Sequence, residues 1–260
     1  MRFGSGSAAV RGLFLGAWLG LALLAPGCGK ARPDEGDEGE AARSQASVAE
    51  WDWLKTEKAR LDEQRGHLAL AKDPAEAERL RKEVGARTAE LNRRLVDFIN
   101  ANAAAQPGDP PDERQRAAIR MKSDEDILLA REYVERGGDY RRAIEIYETA
   151  LAADPDNERL RRELEATRSR RYMTSQRFSQ VKEGMTQEEV RRLLGSPNLQ
   201  DVRAYPERGI TAWFYPKDAS GAAAAVWFQK KAAEAEVYLL DFDAIQPPSA
   251  APAPTPPPGR

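Results

Sequence analysis

The sequence predicts an α+β protein, a helical hairpin and one further helical unit followed by a small two-helix, three-stranded antiparallel sheet domain. Three observations carry this. Charged, helix-forming residues with apolar positions three and four apart run from about Val48 to Arg171. Prolines and glycines gather in a few clusters that punctuate that run. Beyond Phe178, three short aromatic or β-branched stretches succeed one another. The balance of the 260 residues fits this class, with 40 Lys plus Arg against 42 Asp plus Glu, 32% charged and 41% hydrophobic. That is too polar for a multi-span membrane protein and apolar enough for modest cores. His67 is the one histidine and Cys28 the one cysteine. Together they exclude an internal disulfide, a Cys/His zinc centre and most histidine acid–base chemistry. There is no basic surplus, so nucleic acid is not the expected partner.

The first element is a leader, residues 1–27. Arg2 and Arg11 accompany an apolar run, Gly12 to Ala25, of 14 residues. A spanning helix needs roughly 20, so the run reads as a secretory signal. It ends Leu23-Leu24-Ala25-Pro26-Gly27-Cys28. This phrase resembles the lipobox of bacterial lipoproteins, with Gly27 as the small residue before the cut and Leu24 as the apolar one upstream; Ala25 and Pro26 depart from the commonest pattern. The resemblance implies cleavage before Cys28 and acylation of its thiol. A lone cysteine at that point has no partner for an internal disulfide, and two or more acyl chains suffice for stable attachment. Gly29, where many inner-membrane lipoproteins carry Asp, implies the outer membrane, facing the periplasm. Cleavage removes Arg2 and Arg11 and leaves 233 residues with a charge of −4. Residues 28–47, with Asp34, Glu35, Asp37, Glu38 and Glu40 and almost no large apolar side chain, are expected to be a flexible tether.

Residues 48–104 read as a helical hairpin. Asp73-Pro74 is a helix-start signature, aspartate as cap and proline in the first turn. Leu80, Val84, Leu91, Leu95 and Phe98 share one face of the second helix, and Leu54, Leu61 and Leu68 recur in the first, with Trp51 near its start. The remaining seam positions of the first helix are polar, which argues against a long coiled coil. His67 is expected at the surface. Residues 105–120, with Pro107, Gly108, Pro110 and Pro111, read as a linker.

Residues 121–172 read as a second helical unit. Ser123 is expected to cap a helix ending near Arg136, Gly137-Gly138-Asp139 to turn, and a second helix to present Ala143, Ile144, Tyr147, Ala150 and Leu151. Gly138, Asp139, Tyr140, Ala143, Tyr147, Ala150 and Pro155 resemble one tetratricopeptide repeat in spacing. Arg131 and Val134 depart from that pattern. A single such hairpin cannot bury its own apolar face, so a third helix from Asn157 to Arg171, through Leu160, Leu164 and Ala166, is expected to cover it. The resemblance implies a peptide- or protein-binding concave face, lined by position with Glu132, Glu135 and Arg136.

Residues 175–245 form the last module. Thr186 and Glu189 make a capping box, Val190, Leu193 and Leu194 the inner face of the helix, and Gly195-Ser196-Pro197 its stop. Thr211–Tyr215, Ala225–Gln229 and Glu236–Leu240 are the expected strands. Gly184, Met185, Thr186, Val190, Leu194, Gly195 and Pro197, with Trp213, Tyr215 and Phe228 in the sheet, resemble the SmpA/OmlA-type, or BamE-like, domain. This implies a domain that works by protein contact, in its best-known members with the machinery that inserts β-barrels into the outer membrane. A sheet with helices on one face leaves the other open. Trp213, Tyr215, Trp227 and Tyr238 are the candidate aromatic patch for that face. Residues 246–260 hold seven prolines and are expected to be an extended tail.

No nucleophile elbow, phosphate loop or catalytic cluster is present in the sequence. The expectation is therefore a non-enzymatic envelope lipoprotein, without cofactor, metal or small-molecule substrate. It would act as an adaptor or scaffold for other envelope proteins, including a β-barrel assembly complex. The alternative is an inhibitor or sensor module for an envelope enzyme.

Overall fold

The computed structural model describes residues 35–102, 110–231 and 234–247. The leader and Cys28 lie outside them, as do residues 248–260 of the tail. The chain is divided between Met1–Ser44 and Gln45–Arg260, and among the described residues the packed cores belong to the second. Among the described residues no helix is long and apolar enough to cross a membrane.

The hairpin consists of α1 (Glu35–Leu70) and α2 (Pro74–Ala101). Helix α1 begins twelve residues before the expected end of the tether, which is a correction: Ala41, Ala42 and Ala46, downstream of Pro33, favour helix over coil. Asp73 accepts from the N–H groups of Ala75 and Glu76 and starts α2. Leu54 and Leu61 close against Leu91, Leu95, Phe98 and Ala118, with Trp51 stacked on Phe98 at 5.7 Å. Each buried leucine contributes about 1.5–3 kcal/mol. Helix α3 (Glu113–Gly137) joins them through Ala118 and through the Gln115 amide, which donates to the Ile99 carbonyl. Glu125, whose side chain is fully buried, receives Arg65 in a two-pronged pair at 2.9 and 2.6 Å and Lys58 at 3.3 Å.

The start of α3 corrects two expectations. Asp112, not Ser123, caps it, by accepting from the N–H of Gln115 at 2.7 Å. The helix therefore runs through the second half of the expected 105–120 linker. Pro110 and Pro111 fix its approach and cannot lie within it. Ser123 sits buried in mid-helix and donates to Asp154 at 3.2 Å. Helices α3, α4 (Tyr140–Ala153) and α5 (Glu158–Arg171) enclose a second core of Ile127, Ala130, Ala143, Tyr147, Ala150, Leu160 and Leu164. Ala166 is exposed and Thr167 is buried instead. In an α-helix adjacent residues point about 100° apart, so only one of the two can face the core.

A short α6 (Ser175–Phe178) and α7 (Gln187–Leu194) precede a four-stranded antiparallel meander. The capping box of α7 is formed, with Thr186 and Glu189 each accepting from the other's backbone N–H. Leu193 is largely exposed, unlike Val190 and Leu194. The sheet has one strand more than expected: β1 (Val202–Tyr205) lies beside β2 (Ile210–Pro216), then β3 (Ala223–Lys231) and β4 (Glu234–Ile245). Four residues with alternating character are too few to stand out in a sequence.

Candidate docking groove between the helical unit and the sheet

The two modules meet at the turn between α3 and α4. Gly138 is left-handed there, φ 58°, and a β-carbon on it would lie 2.4 Å from the Pro197 carbonyl carbon and the Ser196 oxygen. The backbones touch because this position carries no side chain. Ser196 donates to the Glu135 carbonyl at 2.5 Å, and Tyr215 to the Gly195 carbonyl at 3.1 Å. Gly195 lies so near the Tyr140 hydroxyl that a β-carbon would approach it to 2.9 Å. Arg177 donates to the carbonyls of Arg170 and Leu194, tying the end of α5 to the end of α7. The segment Gly195-Ser196-Pro197 is thus a joint, buried at Ser196 and Pro197, with a hollow on each side.

The hollow on the α3 side is a groove of about 560 Å³. Glu135 and Arg136 line it from α3, Gln187 and Arg191 from α7, Leu199 and Val202 from the segment leading into β1, and Thr211 and Trp213 from β2. Arg191 lies over the Trp213 ring at 5.3 Å. Arg136 pairs with Glu132 one helical turn back at 2.5 Å. Leu199 is 73% exposed, the most open large apolar side chain of this region. Aromatic and arginine side chains beside an exposed leucine, rimmed by charge, are the residue types that interfaces favour.

The expected site residues separate into groups. Glu135, Arg136 and Trp213 converge on this groove, while Glu132 reaches it only through Arg136. Glu132, Glu135 and Arg136 all lie exposed on the last turns of α3. Trp213 and Tyr215 do not line the open sheet face. Both lie in the core under α6 and α7, with Val226, Phe228 and Val237. Burial pushes the Tyr215 hydroxyl pKa far up, with the Tyr140 hydroxyl adding to it. Trp227 faces the other way, beside Ala212, Phe214, Ala223 and Ala225, and Tyr238 is half-buried. The register explains the split, since Trp213 pairs with Val226, and Ala212 with Trp227. One residue of slip exchanges the faces of a strand, and the sequence alone does not fix it. Arg191, Leu199, Gln187 and Val202 are groove residues that the sequence did not single out. The one available signal was Leu199, an apolar residue in a Gly-Ser-Pro-Asn loop.

In the neighbouring helical unit, Arg131 forms a two-pronged pair with Glu163 beside Tyr147. The guanidinium holds the Glu163 carboxyl below its ordinary range. Burial, with the Glu163 charge, raises the Tyr147 hydroxyl to about 12. Among the described residues no group of three His, Cys, Asp or Glu side chains is placed to hold a metal ion.

Two short helices over one face of an antiparallel meander make up the last module. A family model described as the outer membrane protein assembly factor BamE domain matches residues 171–244. The segment carrying α6, α7 and the sheet is therefore BamE-like. No curated protein and no solved structure matches the chain.

Proposed function

We propose that the chain is a lipid-anchored adaptor of outer-membrane protein assembly, which holds an extended segment of an envelope protein in the groove between α3 and the BamE-like domain. The observation that supports this best is the shared groove itself: Glu135 and Arg136 come from the helical unit, Arg191 and Trp213 from the BamE-like domain. Recognition then requires both modules, which gives a reason for joining them in one chain. The Cys28 lipid would confine the groove to the membrane surface, raising its effective concentration for membrane partners. The helical unit contributes a repeat-like surface that orients the groove.

A photo-crosslinking amino acid at Leu199 tests the reading. In membranes, it should capture a component of the β-barrel assembly complex, and the same probe at Leu70, exposed on α1, should not. Arg191→Glu should abolish the Leu199 crosslink. Equal capture from both positions, or none with that complex, refutes the proposal. Capture of a soluble enzyme whose activity falls would instead select an inhibitor.

A further inference from the structure

A second hollow, of about 410 Å³, adjoins the joint towards α4 and the end of α5. Its size falls among ligand clefts, which run roughly from 300 to 1,000 Å³. The helical unit contributes Arg141 from the first turn of α4, and Arg170 and Arg171 from the last turn of α5. The sheet domain contributes the connection between β2 and β3 and the segment after Pro197. Arg141 and Arg170 are exposed. Arg171 is half-buried, its guanidinium over the Tyr172 ring at 4.9 Å.

These three arginines differ from those around them. Arg131 is paired with Glu163, Arg142 with Glu145, and Arg168 with Glu148 and Glu165. Arg141, Arg170 and Arg171 have no carboxylate partner among the described residues. The acids of the same lining are already engaged. Asp139 accepts from the Arg142 N–H and caps α4, and Asp218 accepts from the N–H and the hydroxyl of Ser220. Asp201 is offset by the Arg203 charge. The unspent charge of the hollow is therefore positive, in a chain whose formal charge is −2. The dipole at the end of α5 favours Arg170 and Arg171, but the first turn of α4 has no acid and disfavours a cation such as Arg141. Placing Arg141 in the same hollow adds like-charge repulsion, which an anion relieves.

Guanidinium forks match carboxylate and phosphate oxygens alike. The rest of the lining decides between the sources. Tyr172, Pro216 and Ala219 present ring and methyl surface between the charged groups, with room for more than one small anion. Asp139, Asp201 and Asp218 repel the broad surface of an anionic bilayer, whereas a single chain passes between them. We propose that this hollow binds an acidic peptide segment of a partner protein, its carboxylates on Arg141, Arg170 and Arg171. The site is separate from the groove at Leu199 and does not depend on what that groove holds.

Fluorescence anisotropy on the full chain, in non-ionic detergent micelles at low salt, tests this. The probe is a fluorescein-labelled peptide of alternating glutamate and glycine, and the control carries glutamine for glutamate. The glutamate peptide should bind saturably, and the control about tenfold more weakly or less still. Arg141→Glu combined with Arg170→Glu should weaken binding by about tenfold or more. Arg114→Glu combined with Arg116→Glu, the same charge change at exposed positions on α3, should leave it in place. Arg141→Ala alone should keep or slightly raise the midpoint of thermal unfolding and still weaken binding, a split that a purely structural role does not give. Equal loss in the two double variants overturns the proposal, because the attraction is then to overall charge. Equal binding of the two peptides overturns it as well. So does arginine-dependent binding to vesicles of phosphatidylglycerol with none to the peptide, which assigns these arginines to a membrane.

Discussion

Gly138→Ala probes the joint between the modules most directly. Two costs arise at this position. Alanine at φ 58° is left-handed, which costs an L-residue about 1–2 kcal/mol. The new β-carbon would also stand 2.4 Å from backbone atoms of Ser196 and Pro197, where no rotamer can relieve it. Overpacking of this kind adds typically about 1–3 kcal/mol, for a total of about 2–5 kcal/mol. At about 2–4 °C per kcal/mol for a chain of this size, the midpoint of thermal unfolding should fall by roughly 4–20 °C. Two other glycines separate the contributions. Gly184 is also left-handed, φ 84°, but a β-carbon there meets nothing within 4 Å, so Gly184→Ala should show the conformational cost alone. Gly137, the last residue of α3, has neither problem. Gly137→Ala should be neutral or stabilise by up to about 1 kcal/mol through helix propensity. Differential scanning calorimetry of the three variants gives the comparison, and crosslinking from Leu199 reports the groove. If Gly138→Ala falls no further than Gly184→Ala and retains the crosslink, the two backbones do not meet as described.

Single side chains elsewhere carry the other expected outcomes. Arg65→Ala should destabilise by about 3–5 kcal/mol, because it leaves the buried Glu125 charge without its main partner; Arg79→Ala, on the exposed face of α2, should cost under about 1 kcal/mol in the same denaturant titration. Tyr147 keeps its proton to about 12 when folded, whereas the unfolded side chain loses it near 10.0. Its contribution is thus complete below pH 10 and lost as the pH rises towards 12. Tyr147→Phe should flatten that part of the stability profile, though not abolish it, since Tyr215 shifts in the same direction. The Glu163 carboxyl, depressed by Arg131, contributes above its unfolded value of 4.5 and loses this as the pH falls through its lower folded value. Glu163→Gln should make stability less dependent on acid in that window, by urea midpoints at several pH values. Cys28→Ala should move the protein from the membrane to the soluble fraction; unchanged fractionation would remove the anchor from the proposal.

Much of the architecture is legible without coordinates, because local chemistry dictates it. Asp73-Pro74 begins a helix, Thr186 and Glu189 close a box, and the recurrence of Leu91, Leu95 and Phe98 makes one buried face. Caps and periodicity depend on neighbours within four residues, so the sequence carries them intact. The domain type of residues 171–244 is legible for the same reason, in the phrase from Gly184 to Pro197. Ser123 is no cap because serine signals a helix start only when the preceding turn is not helical, and Asp112 has already supplied one. The face assignment of Trp213, Tyr215 and Trp227 depends on strand register, which Pro216 and Ala223 set by pairing across a hairpin. The groove depends on more still. Glu135 and Leu199 are far apart in sequence, and only the absence of a β-carbon at Gly138 brings their segments together. Sequence therefore determined most of the elements, several of their caps and the BamE-like character of the last module. Tertiary structure decided which aromatics face solvent and which surfaces meet, because register and backbone approach are set by partners distant along the chain.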